Sequence, residues 1–394
     1  MKTKHAIGMT ATGLLLLGFI FASSDLANGQ KSITGRTGDE SLKNEAQLAV
    51  DKGIKWLQGQ QGTNGAWSNP EQPALTALAL TACMGGPSGA NRANRPGFVD
   101  KGYAFLLSCV KPDGGVYVKA LLTYNTSLAM MALLSARDAQ YDTVIRNARN
   151  FVVSAQNDFG EKGKIDNAMD GGFGYSADKP HSDLSNTLVA LEAIHFSERL
   201  AADRPPGQMK ELNWDAAIQF IQRCQNLPAY NHESWASDDP RFKGGFIYAP
   251  GESKAGETNS VGGRVALRSY GSMSYAGLLS YIYANLKPSD PRVQAVSEWL
   301  RQNFTLEENP AMGKQGLFYY YHTMAKGLSA AGMDTLELGD GKKVNWREEL
   351  VKKLLNLQNA DGSWSNDNGR FMEKDPVLVT AYSLIALEYI ARGL

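Results

Sequence analysis

The chain reads Leu354-Leu355-Asn356-Leu357-Gln358 near its end, then Gly362-Ser363-Trp364, then Val379-Thr380-Ala381-Tyr382-Ser383-Leu384. These three pieces are an amphipathic helical stretch, a turn built on Gly and an aromatic residue, and a second, more apolar helical stretch. The same order of pieces recurs along the 394 residues of the chain. Self-similarity of this kind is typical of repeat architectures, and it predicts the fold before any single residue does.

Six copies of this unit can be identified. The first contains Ile54-Lys55-Trp56-Leu57-Gln58, Gly65-Ala66-Trp67 and Ala74-Leu75-Thr76-Ala77. The four copies between the first and the last have weaker turns, which read Gly114-Gly115-Val116-Tyr117, Gly171-Gly172-Phe173-Gly174-Tyr175, Gly244-Gly245-Phe246-Ile247-Tyr248 and Gly316-Leu317-Phe318-Tyr319. Two helices in each of the six units give twelve predicted helices.

The two helices of a unit differ in their apolar pattern. Val50, Ile54 and Leu57 form one stripe on the first helix, so its opposite face is expected in water. The second helix, as in 121–134, is apolar nearly all round and is expected to be buried. An outer ring of amphipathic helices around an inner ring of apolar helices satisfies both patterns. We therefore predict an all-α fold, an (α/α)6 toroid of six helical hairpins, with an open superhelix as the alternative.

The first and last copies also carry a family motif. Gln60 before Gly65-Ala66-Trp67, and Gln358 before Gly362-Ser363-Trp364, resemble the repeat of squalene and oxidosqualene cyclases. The resemblance extends to the β-subunits of protein prenyltransferases and covers nearly the whole chain after its leader. It implies the same toroid, in which the Gln amide and the Trp ring tie an outer helix to the neighbouring repeat.

The catalytic residues of those families are not matched. No D-x-D-D motif is present, and Asp183 near a predicted inner helix has no second acid beside it. The segment around His322 resembles the one that supplies the zinc-binding His of prenyltransferases, but Tyr and Ser occupy the other two ligand positions, in the segment from Tyr270 to Tyr275. The resemblance therefore implies neither the usual cyclisation nor a bound metal, and we expect no cofactor.

Candidate site residues lie where the predicted inner helices begin, because helices that run the same way place these positions at one mouth of the barrel. The expected ligand-binding side chains are Asn125, Asn186, Tyr270, Ser272, Tyr275, His322 and Tyr382. Hydroxyls that complete the expected polar rim are those of Thr126, Thr187, Ser274, Thr323 and Thr380. The catalytic candidates are His322, Tyr321 and Asp183, since a neutral imidazole at a helix start can act as a base. The polar residues can equally be helix caps, and the aromatic residues can be plain core.

The net charge and the first 29 residues of the chain indicate where in the cell the protein is expected. Lys plus Arg and Asp plus Glu number 40 each, so no net charge attracts nucleic acid or an anionic membrane. Residues 1–29 have a basic start and an apolar centre followed by small residues, which predicts a signal peptide. Residues 30–45 are polar and are expected to be a disordered tether before a toroid at 46–394. The mature protein is thus expected to be an exported monomer, periplasmic or extracellular, without a membrane span.

Two classes of function fit the sequence. The first is a binding protein that holds an apolar or isoprenoid-like ligand, or a segment of a partner protein, at the barrel mouth. The second is an enzyme, either a divergent terpene cyclase or a uronate polysaccharide lyase. A lyase is considered because Asn231-His232 followed by Trp235 resembles the Asn-His motif of alginate lyases, which also use an α/α toroid. The irregular segment 227–272 is expected to be an ordered lid near the mouth.

Overall fold

The computed structural model describes residues 33–176, 181–202, 209–259 and 265–394. In chain order its helices are α1 (Ile33–Gln60), α2 (Pro73–Gly85), α3 (Ala90–Ala93), α4 (Gly97–Ser108), α5 (Leu122–Ala136), α6 (Asp142–Ser154), α7 (Leu184–Ala202), α8 (Trp214–Arg223), α9 (Gly271–Tyr283), α10 (Pro291–Gln302), α11 (Leu317–Ala330), α12 (Trp346–Leu357) and α13 (Pro376–Ala391). Two antiparallel hairpins are formed by β1 (Glu257–Asn259) with β2 (Val265–Leu267) and by β3 (Thr335–Glu337) with β4 (Lys343–Asn345). The predicted signal peptide at 1–29 lies outside the described residues.

The helices form two concentric rings. The inner ring consists of α2, α5, α7, α9, α11 and α13, each packed against the next, and α13 packs against α2 to close the circle. The amphipathic helices α1, α4, α6, α8, α10 and α12 lie outside, and α1 contacts both α12 and α13. The twelve predicted helices are therefore present, with the short α3 in addition. This is the predicted (α/α)6 toroid, and its closure excludes the open superhelix.

Local signals in the sequence set several helix starts. Pro291 and Pro376 occupy the first turns of α10 and α13, where a missing backbone N–H costs nothing. The residues just before them, Asp290 and Asp375, each accept a hydrogen bond from a backbone N–H of the first turn. Asn345 caps α12 in the same way. The helix caps are thus supplied by residues outside the apolar runs.

A hydroxyl within each of five inner helices fixes the turn that precedes it. Thr76 accepts a hydrogen bond from the backbone N–H of Trp67 at 3.0 Å, and Thr380 accepts one from Trp364 at 3.0 Å. The equivalent bonds in the second, third and fourth units are made by Thr126, Thr187 and Ser274. The hydroxyls of Thr126, Thr187, Ser274 and Thr380 are buried at these turns, so they neither form the expected polar rim nor cap their own helices. Their hydrogen-bonding capacity is used to hold the aromatic turn against the helix. The fifth expected rim hydroxyl, that of Thr323, donates to the carbonyl oxygen of Tyr319 within its own helix.

Glutamine side chains join each of four units to the next. Gln358 Nε2 donates to the carbonyl oxygens of Gly362 at 3.0 Å and of Ala49, in α1, at 2.9 Å. The equivalent bridges are made by Gln61, Gln156 and Gln225. In the first unit the bridging residue is Gln61 and not the expected Gln60, because Gln60 is exposed at the end of α1.

The inner helices are apolar because most of their residues are buried between the outer ring and the lumen. Within the described ranges, no helix combines the length and the apolar character needed to cross a membrane.

Cys83, Cys109 and Cys224 are buried with free thiols. Burial raises the pKa of all three thiols, so these residues behave as small apolar side chains.

Helix α1 extends further toward the chain start than the sequence indicated. It begins at Ile33, within the segment 30–45 that the sequence predicts to be a tether. Side chains one turn apart are paired here, with Ser41 Oγ donating to Glu45 at 3.1 Å and Gln47 Nε2 to Asp51 at 2.8 Å. Such pairs stabilise a helix by a few tenths of a kcal/mol each, on the order of 0.2–0.5.

Candidate functional site

The lumen of the toroid contains two chambers. The upper chamber, of about 400 Å³, lies at the starts of the inner helices, and the lower chamber, of about 340 Å³, lies toward their ends. Four side chains belong to the walls of both chambers: Leu78, Tyr124, Tyr319 and Tyr382. We call these four side chains the partition. The ring centroids of Tyr319 and Tyr382 are 5.6 Å apart, so the partition is a packed aromatic layer.

The upper chamber is mainly apolar. Its apolar wall residues include Leu75, Leu121, Met273 and Leu378. Its polar groups come from Tyr175, Ser185, Tyr248, Lys254, Tyr270 and Ser272. The predicted residues Tyr270, Ser272 and Tyr382 therefore line this chamber, and segment 227–272 forms part of its wall. Apolar walls with a few polar groups are typical of a site for a small organic ligand.

Two exposed apolar side chains stand in the wall of the upper chamber. Phe371 is 44% exposed and Met372 is 46% exposed. Their backbone φ angles are +59° and +65°, a region that bulky residues rarely adopt. The buried carboxylate of Glu373 accepts hydrogen bonds from the backbone N–H groups of Tyr319 at 2.8 Å and Phe318 at 3.3 Å. These bonds anchor the strained pair to the first turn of α11.

Asp183 lies behind the tyrosines of the upper chamber and is fully buried. Its carboxylate accepts hydrogen bonds from the backbone N–H of Asn186 at 2.9 Å and from its side-chain Nδ2 at 2.7 Å. His181 Nε2 lies 3.4 Å from the same carboxylate, and this contact raises the pKa of the imidazole. Burial, followed by the charge of Asp183, raises the pKa of the Tyr248 hydroxyl. Asp183 and Asn186 thus form a polar cluster that lies behind wall residues such as Tyr248.

His322 faces the lower chamber, below the level of the polar cluster. It is 7% exposed, and its ring centroid lies 4.9 Å from that of Tyr382. Burial lowers the pKa of the imidazole well below its usual value, and the charge of Lys326 lowers it further. The neutral form is therefore favoured by burial and not, as we expected, by the start of a helix, since His322 lies in the second turn of α11.

A buried ion pair lies in the wall of the lower chamber. Lys326 Nζ is 2.5 Å from Glu192 Oε1, and the two side chains are 8% and 3% exposed. Tyr283 donates a hydrogen bond to the same carboxylate at 3.4 Å. Each charge is thereby compensated within the protein, which a buried ion requires.

Asn125, Tyr275 and Tyr321, which we predicted as site residues, lie outside the walls of both chambers. Asn125 Oδ1 accepts a hydrogen bond from the backbone N–H of Ala74 at 3.0 Å and so joins α5 to α2. Tyr321 donates to the carbonyl oxygen of Leu306 at 2.6 Å. Tyr275 packs in the core between α9 and its neighbours. In this structure their groups serve the packing of the toroid.

The Asn-His motif also has a structural role. Asn231 Nδ2 donates to the carbonyl oxygens of Arg223 and Gln225, both at 2.9 Å. Trp235 Nε1 donates to the Arg223 carbonyl oxygen at 3.0 Å, and His232 is exposed. These side chains hold the segment after α8 in place, and neither chamber includes them in its wall. The residues that resemble the alginate lyase motif therefore lie outside both chambers.

Sequence reasoning missed several wall residues: Glu192, Tyr319, Lys326, Phe371 and Met372. Two of them carried a usable signal. Glu192 and Lys326 are single charges within long apolar helical runs, and a charge in such a position is expected to find a partner. Phe371 and Met372 lie in an irregular segment with no periodicity, so nothing in the pattern pointed to them.

No known family model and no curated protein matches the sequence. Solved structures do match. A variant of type II terpene cyclase MstE from Scytonema, in complex with geranylgeranyl dihydroxybenzoate, aligns with a TM-score of 0.52 at 11% identity, covering 90% of this chain and 99% of that one. A second MstE variant, without ligand, gives a TM-score of 0.52 at 12% identity over 90% and 99% of the two chains. The chain has a terpene cyclase-like α/α toroid fold.

A family 76 glycoside hydrolase from a bovine Bacteroides thetaiotaomicron strain is also similar. It aligns with a TM-score of 0.51 at 12% identity, covering 87% of this chain and 77% of that one. At such low identities, the similarity to the terpene cyclase structures is a similarity of fold alone. Since a cyclase and a hydrolase share the architecture, the function has to be argued from the chambers themselves.

Proposed function

We propose that the protein binds an apolar, isoprenoid-like chain in the upper chamber and does so outside the cytoplasm. The observation that carries this proposal is the pair Phe371 and Met372, two exposed apolar side chains beside an apolar cavity. Left-handed backbone at a bulky residue costs on the order of 1–3 kcal/mol and persists mainly at functional positions such as ligand clamps. A strained apolar pair at the wall of a chamber is well suited to hold a hydrocarbon chain.

The chamber has the size and chemistry for such a ligand. Its volume of about 400 Å³ falls within the usual range of small-molecule sites. The apolar body of the ligand would lie against Leu75, Met273 and Leu378. Its wall also carries a cation beside a hydroxyl-bearing ring, since Lys254 Nζ lies 4.3 Å from the ring centroid of Tyr248. The expected ligand therefore has a long apolar part and one polar end, such as a hydroxyl or carbonyl group.

Location outside the cytoplasm is supported by the leader at 1–29, with its basic start and apolar centre. Mass spectrometry of the protein isolated from its native host tests this directly. Cleavage close to residue 22 or 29 is expected. An intact leader on protein in the cytoplasmic fraction would contradict the proposed location without affecting the binding proposal.

Titration with geranylgeraniol, followed by intrinsic fluorescence, tests the binding proposal. We expect saturable binding that weakens by roughly tenfold in the double variant Phe371→Ala, Met372→Ala, because both side chains would lose apolar contact with the chain. Leu107→Ala removes an exposed apolar side chain outside both chambers and is the matched control. Unchanged affinity in the double variant, or no saturable binding to the wild type, would overturn the proposal. Solvent extraction of native protein should also release a discrete isoprenoid, less of it from the double variant.

Terpene cyclisation is the second candidate function. The observation that favours it is the contact between Asp183 and His181, a carboxylate and an imidazole 3.4 Å apart behind the wall of the upper chamber. Binding is the stronger proposal because Asp183 itself is not part of that wall. Incubation with geranylgeraniol and chromatography of the products distinguishes the two. A cyclic product that disappears in Asp183→Asn would establish turnover, and unchanged alcohol would exclude it for this substrate.

A further inference from the structure

The lower chamber is a candidate site separated from the upper chamber by the partition. Its apolar wall residues include Leu128, Met131, Leu134, Val189 and Ile385. With a volume of about 340 Å³, it has room for a small organic molecule. Nothing in the proposed function uses this chamber.

Positive charge dominates the wall of the lower chamber. Five of its residues are cationic and two are carboxylates. Lys326 is neutralised by Glu192, which leaves one carboxylate, Glu388, and four arginines: Arg92, Arg137, Arg199 and Arg392. Within the described ranges, none of these four guanidinium groups lies within ion-pair distance of a carboxylate, although the charges of Arg392 and Arg92 act on that of Glu388.

The arginines stand near the ends of helices, where the negative end of the helix dipole attracts cations. Arg137 follows the last residue of α5, Arg392 follows that of α13, and Arg199 lies in the last turn of α7. The negative end of one helix dipole offsets only about half of the positive charge of one arginine. The chamber opening therefore retains an excess of positive charge that could attract an anion.

Two buried polar atoms in the same wall have no hydrogen-bond partner among the described residues. They are Nδ1 of His322 and Oε1 of Glu388, in side chains that are 7% and 2% exposed. An unsatisfied buried polar atom costs about 1–3 kcal/mol, so it calls for a partner outside the protein. We call the four arginines of this wall the arginine rim. The arginine rim and the two unpaired atoms are independent observations that point to one ligand.

We propose that the lower chamber binds a compact organic anion, with a carboxylate, sulfonate or phosphate group at the arginine rim and an apolar body inside. The anionic group would lie at the guanidinium groups of Arg137 and Arg199, which are exposed at the opening. The apolar body would pack against Met131 and Val189. A polar substituent on the body would satisfy His322 and Glu388.

Two fluorescent probes of matched shape test the proposal. 8-Anilino-1-naphthalenesulfonate carries the required anion on an aromatic body, and N-phenyl-1-naphthylamine has the same rings without the charge. We expect the anionic probe to bind at least roughly tenfold more tightly, with an affinity that falls as salt is added. Equal affinity of the two probes would overturn the proposal.

Charge reversal at the rim tests the role of the arginines. In Arg137→Glu, Arg199→Glu, the affinity for the anionic probe should fall by at least tenfold while that for the neutral probe stays the same. Lys162→Glu, Lys164→Glu makes the same charge change in an exposed loop outside the chamber and should leave both affinities unchanged. Equal loss in both double variants would show a general charge effect and would contradict a site at the rim.

Filling variants locate the probe. Val189→Trp and Ser135→Phe each place a ring in the lower chamber, and either one should abolish binding of the anionic probe in protein that keeps its thermal midpoint. Phe371→Ala, Met372→Ala changes only the upper chamber and should leave this probe unaffected. Loss of probe binding in that variant would place the probe in the upper chamber and refute the inference. Binding of geranylgeraniol is measured separately, so either site can fail alone.

Discussion

Gln358 Nε2 lies 2.9 Å from the carbonyl oxygen of Ala49, and this hydrogen bond joins the last repeat to the first across 309 residues of sequence. The same amide group donates to the carbonyl oxygen of Gly362 at 3.0 Å. A single side chain therefore ties the turn of the sixth unit to the outer helix of the first. Because the ring is closed, no terminal repeat exposes an apolar face that would need a cap.

We expect Gln358→Ala to lower the free energy of unfolding by about 1–3 kcal/mol, because two carbonyl oxygens lose their donor. Urea denaturation followed by circular dichroism measures this change. Gln60→Ala is the control, since Gln60 is exposed at the end of α1 and its removal should change stability by less than about 0.5 kcal/mol. Equal effects in the two variants would show that the closing bridge contributes nothing specific.

Trp67→Ala and Trp364→Ala should each lower the free energy of unfolding by about 3 kcal/mol or more, since both rings are 0% exposed. Each indole Nε1 also donates to a backbone carbonyl oxygen of the preceding outer helix, that of Leu57 at 2.6 Å or of Leu354 at 2.8 Å. Thermal denaturation provides the measurement. A midpoint within error of the wild type would show that the aromatic turn does not support the toroid.

The half-buried Trp56 offers a matched control on the same outer helix as Leu57. Trp56→Ala removes the same chemical group from a partly solvated position, so the loss of stability should be clearly smaller than in Trp67→Ala. Comparable losses would mean that burial of the turn tryptophan is not the cause of its contribution.

The sequence predicted the ring because its signals are local. Apolar periodicity, as in the stripe of Val50, Ile54 and Leu57, reports the face of each helix, and the turns at Trp67 and Trp364 mark where hairpins reverse. Repetition of these signals was enough to predict two rings and their closure. The local pattern does not distinguish two neighbouring glutamines. It therefore predicted Gln60 as the bridging residue, whereas Gln61 makes the bridge.

The site was harder to predict because its parts come from distant segments. Asn125 stands at the expected mouth, but whether its amide faces the lumen or the neighbouring helix depends on contacts that no local pattern encodes. Glu192 and Lys326 are 134 residues apart in sequence and meet only through the closed ring. Phe371 and Met372 belong to the chamber wall because of a backbone conformation that their own residue types disfavour. Patterns report which face is buried, not which side chains meet.

The buried pair of Glu192 and Lys326 should show strong coupling. Glu192→Met or Lys326→Met alone leaves an uncompensated charge near the lower chamber and should cost about 3–5 kcal/mol of stability. The double variant removes both charges and should recover most of this loss, because well-packed apolar side chains often replace a buried pair without penalty. Chemical denaturation of the four proteins in the cycle gives the coupling energy. Additive losses would contradict a direct ion pair.

The surface pair of Lys353 and Glu307, whose Nζ and Oε2 atoms are 2.8 Å apart, is the control for this cycle. Its Glu307 side chain is largely exposed, so water screens the interaction and the coupling should be much smaller than that of the buried pair. A coupling as large as that of the buried pair would show that burial is not what strengthens the interaction.

His322 should make the protein less stable in mild acid. Its pKa in the folded state lies well below the ordinary value of 6.5, because burial disfavours the imidazolium and Lys326 repels it. Well above pH 6.5 the side chain is neutral in both states and has no effect on stability. Below that pH the unfolded chain binds a proton that the folded chain excludes, so the free energy of unfolding falls as the pH falls.

Replacing this residue should therefore flatten the pH dependence of stability. In His322→Gln, the free energy of unfolding should fall less steeply below pH 6.5 than in the wild type, as measured by urea denaturation at several pH values. His232→Gln alters an exposed imidazole and should leave the wild-type slope in place. If both variants keep that slope, a group other than His322 excludes the proton, and the neutral imidazole assigned to the lower chamber is wrong. A slope lost only in His322→Gln would fix the uncharged state of this wall residue at neutral pH.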